Sequence, residues 1–261
     1  MNPKPVISNK TATICSGDTF TVTPLNGVGS DIVPSDTTYT WTVANAVNVT
    51  GEANETTPQS SISQALTNDT NLVQTVVYTV TPTSGVSGNC VGATFTVTVT
   101  LNPKPVIANT TAVICSGSSF TITPRSGGGD NVPAGTTYTW STPTVSPPGA
   151  ISGASAQSSP RTNISQALTN NTSNRATVTY TVSPTAGSCP GPNFTVTIIV
   201  DPLINSNPVI RNATCFGATD GAINLTVRGG IPFTTGDPYQ FSWTGPSGFR
   251  STDEDISNLV A

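Results

Sequence analysis

The stretch Phe95-Thr96-Val97-Thr98-Val99-Thr100-Leu101, running straight into Asn102-Pro103-Lys104-Pro105-Val106-Ile107, decides the fold. Apolar residues alternate strictly with threonine, which is the period-two signature of a strand with one face in a core and one face outward. The prolines that follow restrict φ and favour extended backbone, so the strand ends in a stiff connection. Both halves of this stretch recur. Phe194-Thr195-Val196-Thr197-Ile198-Ile199-Val200 repeats the strand, and Asn2-Pro3-Lys4-Pro5-Val6-Ile7 repeats the connection. Ile14-Cys15-Ser16-Gly17 returns 100 residues later as Ile114-Cys115-Ser116-Gly117, and Trp41 returns 99 residues later as Trp140. A period near 100 residues is the size of one β-sandwich domain.

Working outward, the first copy holds further alternating segments at Phe20-Thr21-Val22, Tyr39-Thr40-Trp41-Thr42-Val43 and Val76-Val77-Tyr78-Thr79-Val80. The second repeats them at Phe120-Thr121-Ile122, Tyr138-Thr139-Trp140 and Val178-Thr179-Tyr180-Thr181-Val182. Weaker strands are expected at Val47 to Thr50 and around Ile62, whose counterpart is Ile164. Counting the Pro-Lys-Pro-Val-Ile segment as a strand gives about seven per copy, with an aromatic strand third and a long hairpin last. The predicted fold is all-β: tandem immunoglobulin-like sandwiches in a head-to-tail rod. The predicted core aromatics are Phe20, Tyr39, Trp41, Tyr78, Phe95, Phe120, Tyr138, Trp140, Tyr180, Phe194 and Trp243.

The predicted division is a first repeat over 1–101, a second over 102–201, a linker over 202–212 and a partial third unit over 213–261. Met1 is the sole methionine and reads as an initiator added to an excised fragment, and the third unit is expected to lack its final hairpin.

Composition narrows function. Charged residues make up 8% of the 261 residues, the net charge is −4, and Lys and Arg never cluster, which excludes a phosphate-gripping nucleic-acid surface. No apolar run approaches the roughly 20 residues of a membrane span. Histidine is absent, which removes the commonest general base and metal ligand. No spacing proposes a carboxylate pair for glycoside cleavage, because Asp18 becomes Ser118 and Asp36 becomes Gly135 in the second copy. Gly127-Gly128-Gly129 lacks the Gly-Lys-Ser/Thr of a phosphate loop. Asp253, Glu254 and Asp255 form the one tight acidic cluster, a weak calcium candidate without the alternation of a dedicated site. No cofactor is expected. Lys4, Lys10 and Lys104 are too few and poorly placed for an isopeptide cross-link.

The five cysteines read as structural disulfides of an oxidising compartment. Two pairings stay open. Within domains, Cys15 would meet Cys90 and Cys115 would meet Cys189, leaving Cys215 without a partner. Yet Cys15 and Cys90 each stand five residues before a Phe that opens an inward-facing strand. If those strands start at opposite ends of a sandwich, a six-residue strand separates them by roughly 20 Å, beyond the roughly 7 Å Cα spacing a disulfide tolerates. The alternative joins Cys15 to Cys189 across the junction between domains.

From Cys215-Phe216-Gly217 through Asp220-Gly221, Gly229-Gly230, Phe241-Ser242-Trp243 and Ile256-Ser257-Asn258-Leu259, the chain resembles the start of a SprB repeat. The two preceding copies, with Ile-Cys-Ser-Gly, Tyr-Thr-Trp and Asn-Pro-Lys-Pro-Val-Ile, resemble the PKD-like or Ig-like repeats found beside SprB repeats in giant surface adhesins of gliding Bacteroidetes. The resemblance implies a non-enzymatic, extracellular cell-surface adhesin exported by the type IX route and used in gliding motility. Its implied partners are neighbouring repeats of the same long chain, surface polysaccharide or an abiotic surface, and, through other parts of the parent, the secretion and motility machinery. The competing expectation is a carbohydrate-binding or spacer module of a secreted polysaccharide-degrading enzyme, which would need aromatics exposed on one face.

Overall fold

A computed structural model describes residues 3–85, 89–231 and 233–260; Met1 and Ala261 lie outside the described residues. The first domain contains β1 (Lys10–Cys15), β2 (Thr19–Val22), β3 (Thr38–Val43), β4 (Val49–Thr50), β5 (Glu55–Gln59), β6 (Ile62–Ala65), β7 (Thr67–Asn68), β8 (Gln74–Thr83) and β9 (Phe95–Asn102). One layer is a five-stranded sheet in the order β1-β9-β8-β3-β5, and facing it are the short pairs β2-β6 and β4-β7. Inward residues from both layers, among them Phe20, Trp41, Ile62, Leu66, Tyr78 and Val97, form one buried cluster. Phe20 packs on Tyr78 at 5.2 Å between ring centroids, and Tyr39 meets Phe95 edge-on at 6.3 Å.

The second domain repeats this plan with β10 (Thr110–Cys115), β11 (Ser119–Ile122), β12 (Thr136–Trp140), β13 (Thr144–Ser146), β14 (Ile151–Ser152), β15 (Gln157–Arg161), β16 (Ile164–Ala167), β17 (Thr169–Asn170), β18 (Ala176–Ala186), β19 (Cys189–Pro190) and β20 (Phe194–Asp201). Its sheet order, β10-β20-β18-β12-β15, matches the first, and it has its own core. The molecule is thus all-β, with two tandem immunoglobulin-like sandwiches.

Three strand expectations change. Pro-Lys-Pro-Val-Ile is not a strand: Val6 makes only an isolated bridge to Ile32, and Val106 one to Asn131. The strand that opens each domain comes later, as β1 and β10, which run parallel to β9 and β20 with Cys15 opposite Asn102 and Cys115 opposite Asp201. The edge strands β5 and β15 were not expected either; each contains a proline, at Pro58 and Pro160, where a sheet edge spares it an interior partner.

The third unit contains β21 (Asn205–Arg211), β22 (Gly221–Arg228), β23 (Trp243–Thr244), β24 (Arg250–Ser251) and β25 (Ile256–Leu259). Residues 205–211, expected as linker, pair with β22 along their whole length, so the connection from β20 shortens to 202–204. Trp243, expected in a core, is only partly buried. The layer it belongs to is the two-residue pair β23-β24, too short to cover an indole. From β21 onward, Ile256 is the one buried large hydrophobic side chain among the described residues.

Candidate functional site: the joint between the domains

β1 ends at Cys15, and the chain turns at once. The Ser16 amide donates to the Asn102 carbonyl at 2.8 Å and the Gly17 amide to the Leu66 carbonyl at 2.7 Å. Gly17 adopts φ +83°, a left-handed value that glycine takes without steric cost. This turn sets Cys15 and Asp18 at the end of the first domain that faces the second. Beside them lies the loop after β7, ordered by the buried Asn68. Its amide group donates to the Leu72 and Leu101 carbonyls, and its Oδ1 accepts from the amide and hydroxyl of Thr70.

The second domain meets this end with its connecting segment and its last hairpin. Lys104 Nζ lies 2.7 Å from Asp18 Oδ1. Asn131 donates from Nδ2 to the Thr70 carbonyl at 3.1 Å and to the Lys104 carbonyl at 3.2 Å. Asn71 donates to Ser126 Oγ at 3.1 Å. The β18–β20 hairpin turns back on itself through Ala186 opposite Cys189. Cys189, fully buried, is disulfide-bonded to Cys15, with 5.6 Å between the Cα atoms.

The within-domain pairs Cys15–Cys90 and Cys115–Cys189 therefore do not form. Cys15 stands opposite Asn102 at the far end of β9, whereas Cys90 precedes the near end of that eight-residue strand. The intervening length of roughly 25 Å is far outside disulfide reach. Cys115 occupies the place in the second domain that Cys15 holds in the first, and it is exposed with a free thiol, as is Cys215.

All ten aromatic side chains of the two sandwiches are buried. The Trp41 and Trp140 indoles donate to the Ala53 and Ser155 carbonyls at 3.1 and 2.9 Å. Burial pushes the Tyr39 phenol up to about 12, and it raises Tyr78, Tyr138 and Tyr180 as well, so none of these phenols serves as a base near neutral pH. A cleft of about 800 Å³ between the second domain and the third unit is lined mainly by Asn and Thr, with Arg228 as its charged group. It brings together no acid–base pair.

The acidic cluster does not converge on a point. Asp253 Oδ2 accepts from Ser251, while the Asp255 carboxylate accepts from Asn224 and from the Leu225 amide, tying the loop to β22. Among the described residues, no group of three His, Cys, Asp or Glu is placed to hold a metal ion. Nor, among the described residues, is any helix long and apolar enough to cross a membrane. Sequence reasoning named the cysteines of the joint but missed Asn71, Ser126 and Asn131; the signal for them is weak, because a loop asparagine looks alike whether it serves its own turn or a neighbouring domain.

Among solved structures, the chain is similar to three domains of human CDH23 (EC21-23) at 15% identity, covering 97% of this chain and 93% of that one, TM-score 0.34. It is also similar to the three N-terminal domains of the Hoc capsid protein of bacteriophage RB49 at 13% identity, covering 94% and 77%, TM-score 0.33. It spans about half, 53%, of the protocadherin gamma B2 extracellular cadherin domains 1-5, at 12% identity and TM-score 0.29, with all of this chain covered. No curated protein matches it. The SprB repeat model matches residues 207–248, directly after two matches to the PKD-like domain over residues 11–105 and 112–204. With most of its length so matched, the chain belongs to the PKD-like domain family, as a tandem pair followed by a SprB repeat.

Proposed function

We propose that the chain is a non-catalytic repeat segment of a large cell-surface adhesin, serving attachment and gliding motility as a stiff stalk and a multivalent adhesive surface. The joint carries this reading: a disulfide, an ion pair and side-chain hydrogen bonds bind one domain to the next. A covalently braced joint suits a projecting fibre, and disulfides persist in extracellular compartments. Repetition of modules makes feeble individual contacts additive through avidity. The neighbouring repeats are the first partners; surface polysaccharide or an abiotic surface is the outer one, and export by the type IX route with attachment to the motility machinery belongs to other parts of the parent. Burial of every aromatic in both sandwiches counts against a carbohydrate-stacking module, since exposed rings are the usual platform for sugars.

In-frame deletion of this segment from the parent protein tests the reading. The expected outcome is lost attachment and impaired gliding with surface display of the remainder retained. Unchanged attachment and gliding, together with retention of the isolated chain on insoluble polysaccharide, would favour the carbohydrate-binding alternative.

A further inference from the structure

We infer that the Cys15–Cys189 bond is a tension bypass, which carries a pull along the chain around almost all of both PKD-like domains. The inference follows from connectivity. A pull from the N-terminal side enters at Lys10, runs along β1 and reaches Cys15 at the other end of that strand. It then crosses the disulfide to Cys189, runs along β20 from Phe194 to Asp201, and leaves toward the third unit. Everything between the two cysteines, a sequence separation of 174, is a closed loop in parallel with one covalent bond. The Cα atoms already stand 5.6 Å apart in the folded state, so neither domain has to open before the bond takes the load.

Each sandwich is consequently threaded by a single load-bearing strand. Load enters and leaves β1 at its two ends, and does the same in β20, so tension runs along these strands instead of across the β1-β9 and β10-β20 ladders. The junction at Pro103-Lys104-Pro105 also lies inside the closed loop. The half-exposed Lys104–Asp18 pair and the Asn71 and Asn131 contacts orient the domains without resisting a pull. Without the bond, the same pull would pass through both cores and that junction in series.

The inference deepens the stalk reading and rests on it for the source of the load. Its test reads chain length and is independent of attachment, so either can fail alone. The full chain, tethered at its two ends, is stretched to complete extension by single-molecule force spectroscopy with and without a phosphine reductant. The expected result is a contour length longer by about 600 Å after reduction, given roughly 3.5 Å per released residue. A Cys15→Ser, Cys189→Ser double variant is expected to show the long contour without reductant, and a Cys90→Ser, Cys115→Ser variant the short one. Equal contour lengths with and without reductant would overturn the bypass, as would lengthening by the Cys90→Ser, Cys115→Ser pair.

Discussion

Asp31 is a carboxylate almost withdrawn from water, with 1% of its side chain exposed, and its stability depends on three donors from one short segment. Lys10 Nζ lies 2.5 Å from Oδ2, and the Ser8 amide and hydroxyl each donate to Oδ1 at 2.8 Å. Burial alone pushes this carboxyl up, but the Lys10 and Ser8 donors outweigh it, so its pKa lies below the ordinary carboxylate value. The second domain shows the same site with the charge partners removed: Thr110 replaces Lys10, Ala108 replaces Ser8, and Asp130 keeps the Ala108 amide at 2.8 Å while becoming more exposed. Burial of the carboxylate and presence of the ammonium go together. Lys10→Thr is therefore expected to destabilise the first domain by about 2 kcal/mol, the scale of a hydrogen bond to a charged group, as read by denaturant unfolding. The pH dependence follows from a lowered folded pKa. The contribution is complete above the ordinary value of 3.8 and is lost as pH falls through the lower folded one. In Lys10→Thr this acid-side loss is expected to shrink, because the folded pKa moves up once the Ser8 donors alone oppose burial.

The short strands facing the main sheet are held by backbone approach at one glycine per domain. Gly51 and Gly153 have φ of +96° and +90°, and a Cβ on either would stand 2.2 Å from the Ala65 or Ala167 carbonyl oxygen. Gly153→Ala is expected to cost about 2–4 kcal/mol, combining left-handed strain with a backbone collision. Gly117→Ala, at φ +82° with open space around the new methyl, is expected to cost about 1–2 kcal/mol from conformation alone. Thermal melts of the two variants check the ordering. Gly51 and Gly153 are indistinguishable in the sequence from turn glycines, since what sets them apart is a carbonyl 14 residues away. The same limit governs the strands. β3, β8 and β9 were legible because one face is buried, so apolar residues alternate with outward threonine along them. β1 is a sheet edge with no fully buried residue: Ala12 and Ile14 pack on the core between the exposed Thr11 and Thr13, an alternation too short and too weakly apolar to stand out. Pro-Lys-Pro-Val-Ile looked strand-like but lies across the hairpin, so close at Gly92 and Gly191 that a Cβ would strike the Pro5 or Pro105 carbonyl. Two pairings stayed open because the sequence alone does not show which end of the sandwich each strand starts from. Once Cys15 is put at the end of β1, the within-domain bond fails on distance.

Across the whole molecule, the joint combines one strong element with several weak ones, and their magnitudes predict different phenotypes. The Lys104–Asp18 pair, with 27% and 50% of the side chains exposed, belongs to the class of surface ion pairs worth about 0.2–1 kcal/mol. The disulfide closes a loop of 174 residues, for which the chain-entropy relation gives about 5 kcal/mol drawn from the unfolded state. Most of both domains lies inside that loop, so the restriction on the unfolded chain is shared between them and their melting becomes coupled. Calorimetry of the full chain is expected to show a small shift for Asp18→Ala, with the melting of the two domains still coupled. Cys15→Ser is expected to lower the melting temperatures of both domains and separate their transitions. Cys189→Ser should do the same and somewhat more, because Cys189 is fully buried and its replacement also buries a hydroxyl, whereas Cys15 is only partly buried. Using Cys15→Ser as the reference therefore isolates the loop-closure effect. A loss in Cys15→Ser no larger than that of Asp18→Ala would mean that the bond joins two domains without coupling their stability.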